Sequence, residues 1–304
     1  MRTTVGHTDG MTDTWERNAP VLSAGDVLAR LRQSDANATN PSRPIVLDVR
    51  WTLAGSDLNA YLEGHIPGAL FLDLDRDLAG EAGAGGRHPL PDPDELQRVW
   101  RSCGIDDDSS VVVYDGGNGL PSARAWWLLR WSGLVDVQVL DGGWPAWLAA
   151  GGETETGPGG APRAGRVSVR PGAMPVVDID EAAALADGSD GTGGRLLDAR
   201  APERFRGDVE PMDPVAGHIP GAVNLPSSHL TEGGLFRSPQ ELRLVFAVAG
   251  VTADGPRAAA SCGSGITASQ TVLAAEVAGL PMALFPGSYS QWCAQGREVA
   301  TGDG

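Results

Sequence analysis

Lysine is absent from this 304-residue sequence, and all 23 basic residues are arginine. That absence excludes chemistry built on a lysine amine: Schiff-base formation, pyridoxal-phosphate attachment and the P-loop grip on phosphate. Cysteine is scarce, being confined to Cys103, Cys262 and Cys293. The three form no C-x-x-C pair and leave an odd number, so neither a zinc site nor a disulfide framework is indicated, and at least one thiol is free to serve through its reactivity. No apolar run approaches the roughly 18 to 20 residues that span a bilayer, and residues 1–19 lack the apolar stretch of a signal peptide. We read 1–19 as a disordered tail and expect a cytoplasmic protein without membrane association. Positive charge is also in short supply. A net charge of -16 argues against nucleic acid or anionic lipid as partner, because both reward basic patches. A small anionic substrate stays compatible where local arginines overcome the field. Neither a metal nor an organic cofactor is expected.

What is present is an internal repeat with a period near 150 residues. Leu47-Asp48-Val49-Arg50 answers to Leu197-Asp198-Ala199-Arg200, and Gly64-His65-Ile66-Pro67-Gly68-Ala69 answers to Gly217-His218-Ile219-Pro220-Gly221-Ala222. The segment 111–116 corresponds to 258–263, and Asp141-Gly142-Gly143-Trp144 to Pro286-Gly287-Ser288-Tyr289, in the same order. Within the first half, 44–49, 69–73, 110–115 and 137–140 read as strands. Helical patterns lie between strands, including 122–132 and its counterpart 267–278, which stop near Gly133 and Gly279. This alternation predicts an α/β fold, with a mostly parallel sheet covered on both faces in each half. The Gly/Pro-rich stretch 151–174 reads as a linker carrying one strand at 166–170, so the domains are expected at 20–150 and 175–297.

The chemistry-bearing segment is Ala260-Ser261-Cys262-Gly263-Ser264-Gly265-Ile266-Thr267. It places a cysteine at the end of a small-residue strand, followed by a Gly-rich turn into a helix. Glycines let backbone N–H groups converge on the sulfur and the helix N-terminus adds partial positive charge, an arrangement that favours a nucleophilic thiolate. The bland alternative is a buried cysteine acting as a small hydrophobe. A tyrosine-phosphatase reading needs an arginine six residues after the cysteine, and position 268 is alanine, so phosphate loses its bidentate partner.

The loop Cys262-Gly263-Ser264-Gly265-Ile266-Thr267-Ala268 resembles the active-site loop of the rhodanese superfamily in its tandem-domain form. Both Gly-His-Ile-Pro-Gly motifs, Gly86-Arg87-His88-Pro89-Leu90-Pro91, Asp141-Gly142-Gly143-Trp144 and Glu203-Arg204-Phe205-Arg206-Gly207 match family patterns in family order. The resemblance implies two tandem rhodanese-like domains, the first catalytically inert, with Asp115 aligned to Cys262. It implies a sulfurtransferase in which Cys262 accepts sulfur as a persulfide and passes it to a thiol or cyanide. A six-residue loop is similar to that of sulfur-handling members, phosphate-processing ones having a longer loop.

Cys-Gly-Ser-Gly is similar to the loop of 3-mercaptopyruvate enzymes, whereas thiosulfate enzymes usually carry cationic side chains there; thiosulfate is the alternative donor. By the same resemblance Arg204 holds the donor's carboxylate, and Gly263, Ser264, Gly265, Ile266 and Thr267 line the donor site. The bland reading of Arg204 is a surface ion pair with Glu203 or Asp208. A second arginine is expected after a Glu-Pro pair, but Glu210-Pro211 is followed by Met212, and Arg200 or Arg206 is the expected substitute. Ser264 and His65 match two members of a Ser-His-Asp relay, with Asp57 as the candidate third. His218 occupies the same motif without a neighbouring nucleophile, so the histidine in this motif can equally fix a turn. Cys103 and Cys293 are read as packing residues, Cys293 also being a candidate redox partner of Cys262. A non-enzymatic module that presents sulfur to a partner is a further alternative, and a monomer or weak dimer is expected.

Overall fold

A computed structural model of the chain describes residues 19–35 and 43–303. The tail expected at 1–19 lies, apart from Ala19, outside the described residues.

The first half builds a five-stranded sheet from β1 (Val21–Leu22), β2 (Ile45–Asp48), β3 (Leu70–Phe71), β4 (Val111–Tyr114) and β5 (Val137–Leu140), in the order β1-β5-β4-β2-β3 with every pairing parallel. The second half repeats it with β6 (Arg195–Asp198), β7 (Val223–Asn224), β8 (Ala258–Ser261) and β9 (Ala283–Leu284), ordered β9-β8-β6-β7 and again parallel. All four residues of β4 and of β8 are buried, as strands covered on both faces must be. Helices cover both faces, giving the expected α/β architecture twice. The short strand β1 carries no alternation that sequence reading could find. It is held by pairing, Val21 opposite Val139, and by burial of Leu22 in the core.

The strand expected at 166–170 does not form. This segment instead straps the back of the first sheet through scattered bonds: Val167 N–H donates to Ile105 O at 3.1 Å, Ser168 N–H to Asp107 Oδ1 at 2.9 Å and Arg170 N–H to Ser132 O at 2.9 Å. With its partners drawn from loops and side chains, the backbone is satisfied without a ladder.

Two helices join the halves. Leu120–Trp131, which opens after Gly119, and Ile266–Ala278, which opens after Gly265, are buried on almost every side. A helix apolar all round belongs in a core rather than on a surface, and these two pack against each other. Gln270 Nε2 donates to Asn118 O at 2.7 Å across the seam. A single buried cluster therefore runs from Leu47 and Val113 in the first half through Trp127 and Leu273 to Leu197 and Leu284 in the second.

Each central helix begins at the strand end where the repeats differ. In the first, the buried Asp115 carboxylate accepts from Gly117 N–H at 2.7 Å, Gly119 N–H at 3.2 Å, and the N–H and hydroxyl of Ser122 at 3.2 and 2.7 Å. The carboxylate thus fills its own loop and satisfies the opening of the helix. Replacing it leaves several buried donors without an acceptor, so Asp115→Ala should lose about 3 kcal/mol of unfolding free energy. Urea denaturation checks this; a loss below about 1 kcal/mol would show that the carboxylate does not organise the loop.

Candidate active site

In the second repeat the same position holds Cys262, and the loop that follows is drawn around its sulfur. Gly265 N–H points at Cys262 Sγ from 3.1 Å. Gly265 has φ +85°, and a β-carbon there would collide with the Pro286 carbonyl, so only glycine brings that N–H to the sulfur. The loop is moored from below: Cys262 N–H donates to Ser288 Oγ at 3.0 Å, Tyr289 N–H to Cys262 O at 3.0 Å and Ser290 N–H to Gly263 O at 2.8 Å. Ser288 is the one non-glycine with positive φ among the described residues, at +51°. Its strained backbone places its hydroxyl between Cys262 N–H and Phe285 O. Gly263, Ser264, Gly265 and Ile266 are buried with the sulfur, and Thr267 is half-buried at the helix start.

The first half supplies the rest of the site. Residues 86–88 dock against 287–290 so closely that a β-carbon on Gly86 would lie 2.8 Å from both Gly287 O and Ser290 Oγ. Arg87 N–H donates to Ser290 Oγ at 3.0 Å. This docking carries His88 across the seam, with its Nδ1 2.8 Å from Ser264 Oγ and its Nε2 3.3 Å from Asp75 Oδ1. Trp51 Nε1–H fixes the other Asp75 oxygen at 2.9 Å and sets its ring edge-on to His88. Burial drives the His88 pKa down; the Asp75 carboxylate opposes this, while Arg124 and Arg87 reinforce it.

The structure does not assemble the relay expected from His65 and Asp57. His65 is fully buried in a turn, its Nδ1 2.9 Å from Tyr61 O and its ring stacked on Tyr61, while its backbone pairs with Glu155. Asp57 is an exposed N-cap that accepts from Ala60 N–H at 3.0 Å. The physical reason is visible in the other repeat, where His218 makes the same contacts with Phe205 O at 2.8 Å and with the Phe205 ring. Ser264 instead meets His88, whose far ring nitrogen faces Asp75. His88 lay within the recognised Gly86-Arg87-His88-Pro89 motif, but nothing in sequence spacing tied it to a loop 176 residues away.

Arg204 lies at the loop. A β-carbon on Gly263 would lie 3.6 Å from its Nη1 and 2.9 Å from Nη2 of Arg87. Glu210 orients Arg204 through bonds of 2.7 Å to Nη2 and 3.3 Å to Nε, rather than Glu203 or Asp208, the partners of the bland alternative reading. Although burial opposes its charge, Glu210 is held below the usual carboxyl range by Arg204 and by the N–H groups of Met212 and Asp213. Neither expected substitute for the missing second arginine is free. Arg200 is buried against Asp198 at 2.6 Å and over the Tyr289 ring, and Arg206 pairs with Asp208 at the surface. Met212 itself is 44% exposed.

Arg124, on the central helix of the first half, is completely buried and donates to the carbonyls of Leu78, His88 and Pro89 at 3.1 to 3.3 Å. Burial pushes its pKa down to about 10, the nearby Cys262 acting in the opposite direction, so it stays cationic at neutral pH. The other thiols are placed otherwise. Cys103 is buried and pushed up to about 12 by desolvation. Cys293 is half-buried, with its pKa raised by burial. Among the described residues, no cluster of His, Cys, Asp and Glu could hold a metal ion, and no helix is long and apolar enough to cross a membrane.

Comparison with known proteins gives the family. The family model for the rhodanese-like domain matches twice, at residues 25–150 and 179–295. A Mycobacterium tuberculosis protein named as a thiosulfate sulfurtransferase, SseB, is 48% identical over 81% of this chain and 87% of its own length. A Pseudomonas aeruginosa protein named as a 3-mercaptopyruvate sulfurtransferase is 43% identical over 94% of this chain and 99% of its own. The crystal structure of SseA from Escherichia coli, described in terms of the rhodanese fold of 3-mercaptopyruvate enzymes, superposes with a TM-score of 0.74 at 29% identity, covering 90% of this chain and 99% of that one. With the cysteine loop built in only one of two matching repeats, the chain belongs to the rhodanese-like domain family and is a sulfurtransferase.

Proposed function

We propose that the chain takes sulfur from 3-mercaptopyruvate onto Cys262 and passes it to a thiol or to cyanide. The Cys262 thiolate attacks the donor sulfur, an S–S bond forms and the donor's C–S bond breaks, leaving the persulfide Cys–S–S⁻ and pyruvate. Balance requires one proton to move from the donor's sulfur to its C3 carbon. In the second half cyanide attacks the outer sulfur, leaves as thiocyanate and returns the thiolate, so the cycle is ping-pong covalent catalysis.

The observation that carries the choice of donor is the 2.8 Å contact between Ser264 Oγ and His88 Nδ1. A neutral imidazole next to a hydroxyl can accept a proton and return it, and Asp75 at Nε2 orients the ring and steadies its charged form. Thiosulfate loses sulfite without moving any proton, so it has no use for such a relay. The thiosulfate reading keeps one specific support, the name of the 48% identical relative. Cytoplasmic location, a monomer or weak dimer, and domain limits at 20–150 and 175–297 belong to the same proposal.

Two measurements test it. Purified protein supplied with cyanide should form thiocyanate with a higher kcat/KM from 3-mercaptopyruvate than from thiosulfate, and Cys262→Ser should form none. A preference for thiosulfate would overturn the donor assignment, and activity in Cys262→Ser would overturn the persulfide. His88→Gln should slow mercaptopyruvate turnover about 100-fold while leaving thiosulfate turnover nearly intact. Because the His88 pKa lies below the ordinary 6.5, the ring stays neutral as pH falls through that value, and the acid limb of kcat/KM should lie beneath it. Asp75→Asn removes a carboxylate that favours the charged ring, so the limb should move lower still. An upward move would remove His88 from the proton path.

A further inference from the structure

Two guanidinium groups converge on Gly263 from different domains, and each keeps an unpaired nitrogen there. A β-carbon on Gly263 would lie 3.6 Å from Nη1 and 3.7 Å from Nη2 of Arg204, and of these two Arg204 commits Nη2, together with Nε, to Glu210 and keeps Nη1. Arg87 gives Nη1 to Asp213 and keeps Nη2, the atom that such a β-carbon would approach to 2.9 Å. No other side-chain hydrogen bond engages Arg87 among the described residues. Asp213 is the common anchor: one oxygen takes Arg87 and the other lies 3.5 Å from Arg204 Nη2. The buried carboxylates therefore fix both forks and leave one N–H edge of each over the loop. Meanwhile position 212, next to Asp213, carries an uncharged methionine, and Arg200 and Arg206 are committed elsewhere.

We propose that Arg87 and Arg204 together form the carboxylate subsite for the donor, with Arg87 supplying from the first domain the second cation that the catalytic domain lacks. The inference rests on the keto-acid reading of the donor given above. Two separate guanidinium edges, each held by a buried carboxylate, suit the two oxygens of one carboxylate next to Cys262, since preset arginine donors lose little freedom on binding. Donor binding then depends on both domains, although only one of them carries the sulfur.

The test uses pyruvate, the carboxylate product, as a probe that needs no turnover. Cys262 is alkylated with iodoacetamide in the full chain, its peptide being followed by mass spectrometry, with and without pyruvate. Pyruvate should protect Cys262 in the unmodified chain, and Arg87→Met should raise the half-protecting concentration about tenfold or more, the loss expected for a hydrogen bond to a charged group. Adding Met212→Arg to Arg87→Met should restore much of the protection by returning a cation to the neighbourhood of Asp213. Equal protection with and without Arg87, absence of protection in the unmodified chain, or a double variant that stays unprotected would each overturn the subsite. The donor reading fails separately: a chain that turns over only thiosulfate, yet is protected by pyruvate through Arg87, would sink the first proposal and the word donor in this one, leaving the two arginines as a carboxylate-binding pair.

Discussion

The packing of two largely buried helices against each other is the constraint on which the site depends. Leu120–Trp131 and Ile266–Ala278 each start at a loop that follows a central strand, so joining the helices fixes one loop relative to the other. Neither helix has a solvated face that would let it slide, and Gln270 pins the register to Asn118. Segment 86–88 rides on the first of them, because Arg124 of that helix holds the carbonyls of His88 and Pro89. The interdomain core thus brings an imidazole to within hydrogen-bond distance of Ser264. A seam built mainly from Trp and Leu on one side and Ala, Val and Leu on the other is stiff enough to hold that geometry.

The two repeats offer the same cradle to different anions. At the strand end a turn followed by a helix N-terminus leaves N–H groups without partners, and any such loop must find an acceptor. The first repeat supplies Asp115 from its own chain, which accepts from three N–H groups and a hydroxyl and so closes the cradle. The second repeat has a thiol there and one N–H at 3.1 Å from the sulfur. Carboxylate in one and sulfur in the other is the difference between a finished helix cap and a reactive centre. The first repeat is nonetheless not idle, since Asp75, Arg87, His88 and Arg124 all come from it.

How much of this was legible follows from the range of each interaction. The parallel strands and the central helices were readable because apolar periodicity is local, and the agreement over β5 and the helix Ile266–Ala278 is close. The positions of Cys262 and Arg204 beside one loop were foreseeable because Cys262 ends a strand of the repeat and Arg204 sits in the short motif Glu203-Arg204-Phe205-Arg206-Gly207. The strand β1 and the strap at 166–170 were not, since both are decided by distant partners. The relay shows the same limit most clearly. His65 and His88 both stand in recognised motifs, and sequence offered no way to choose between them. Burial and a turn contact common to both repeats claim His65, whereas the seam delivers His88. The second cation we propose was overlooked for a like reason: it was sought near Met212, in the same repeat, while Arg87 comes from the other one.

Net charge and local charge point in opposite directions. A chain carrying -16 repels small anions at long range, yet the loop is surrounded by Arg87, Arg124 and Arg204. Two of these are balanced, Arg87 by Asp213 and Arg204 by Glu210. Arg124 is different, because its partners are all carbonyls and its Nη1 has no hydrogen-bond partner among the described residues. A buried cation without a carboxylate costs stability unless an anion lies near. In the proposed cycle that anion is sulfur on Cys262, first as thiolate and then as persulfide, both carrying one negative charge. On that proposal the charge facing Arg124 stays constant through the cycle, and the first domain provides the countercharge for sulfur carried by the second.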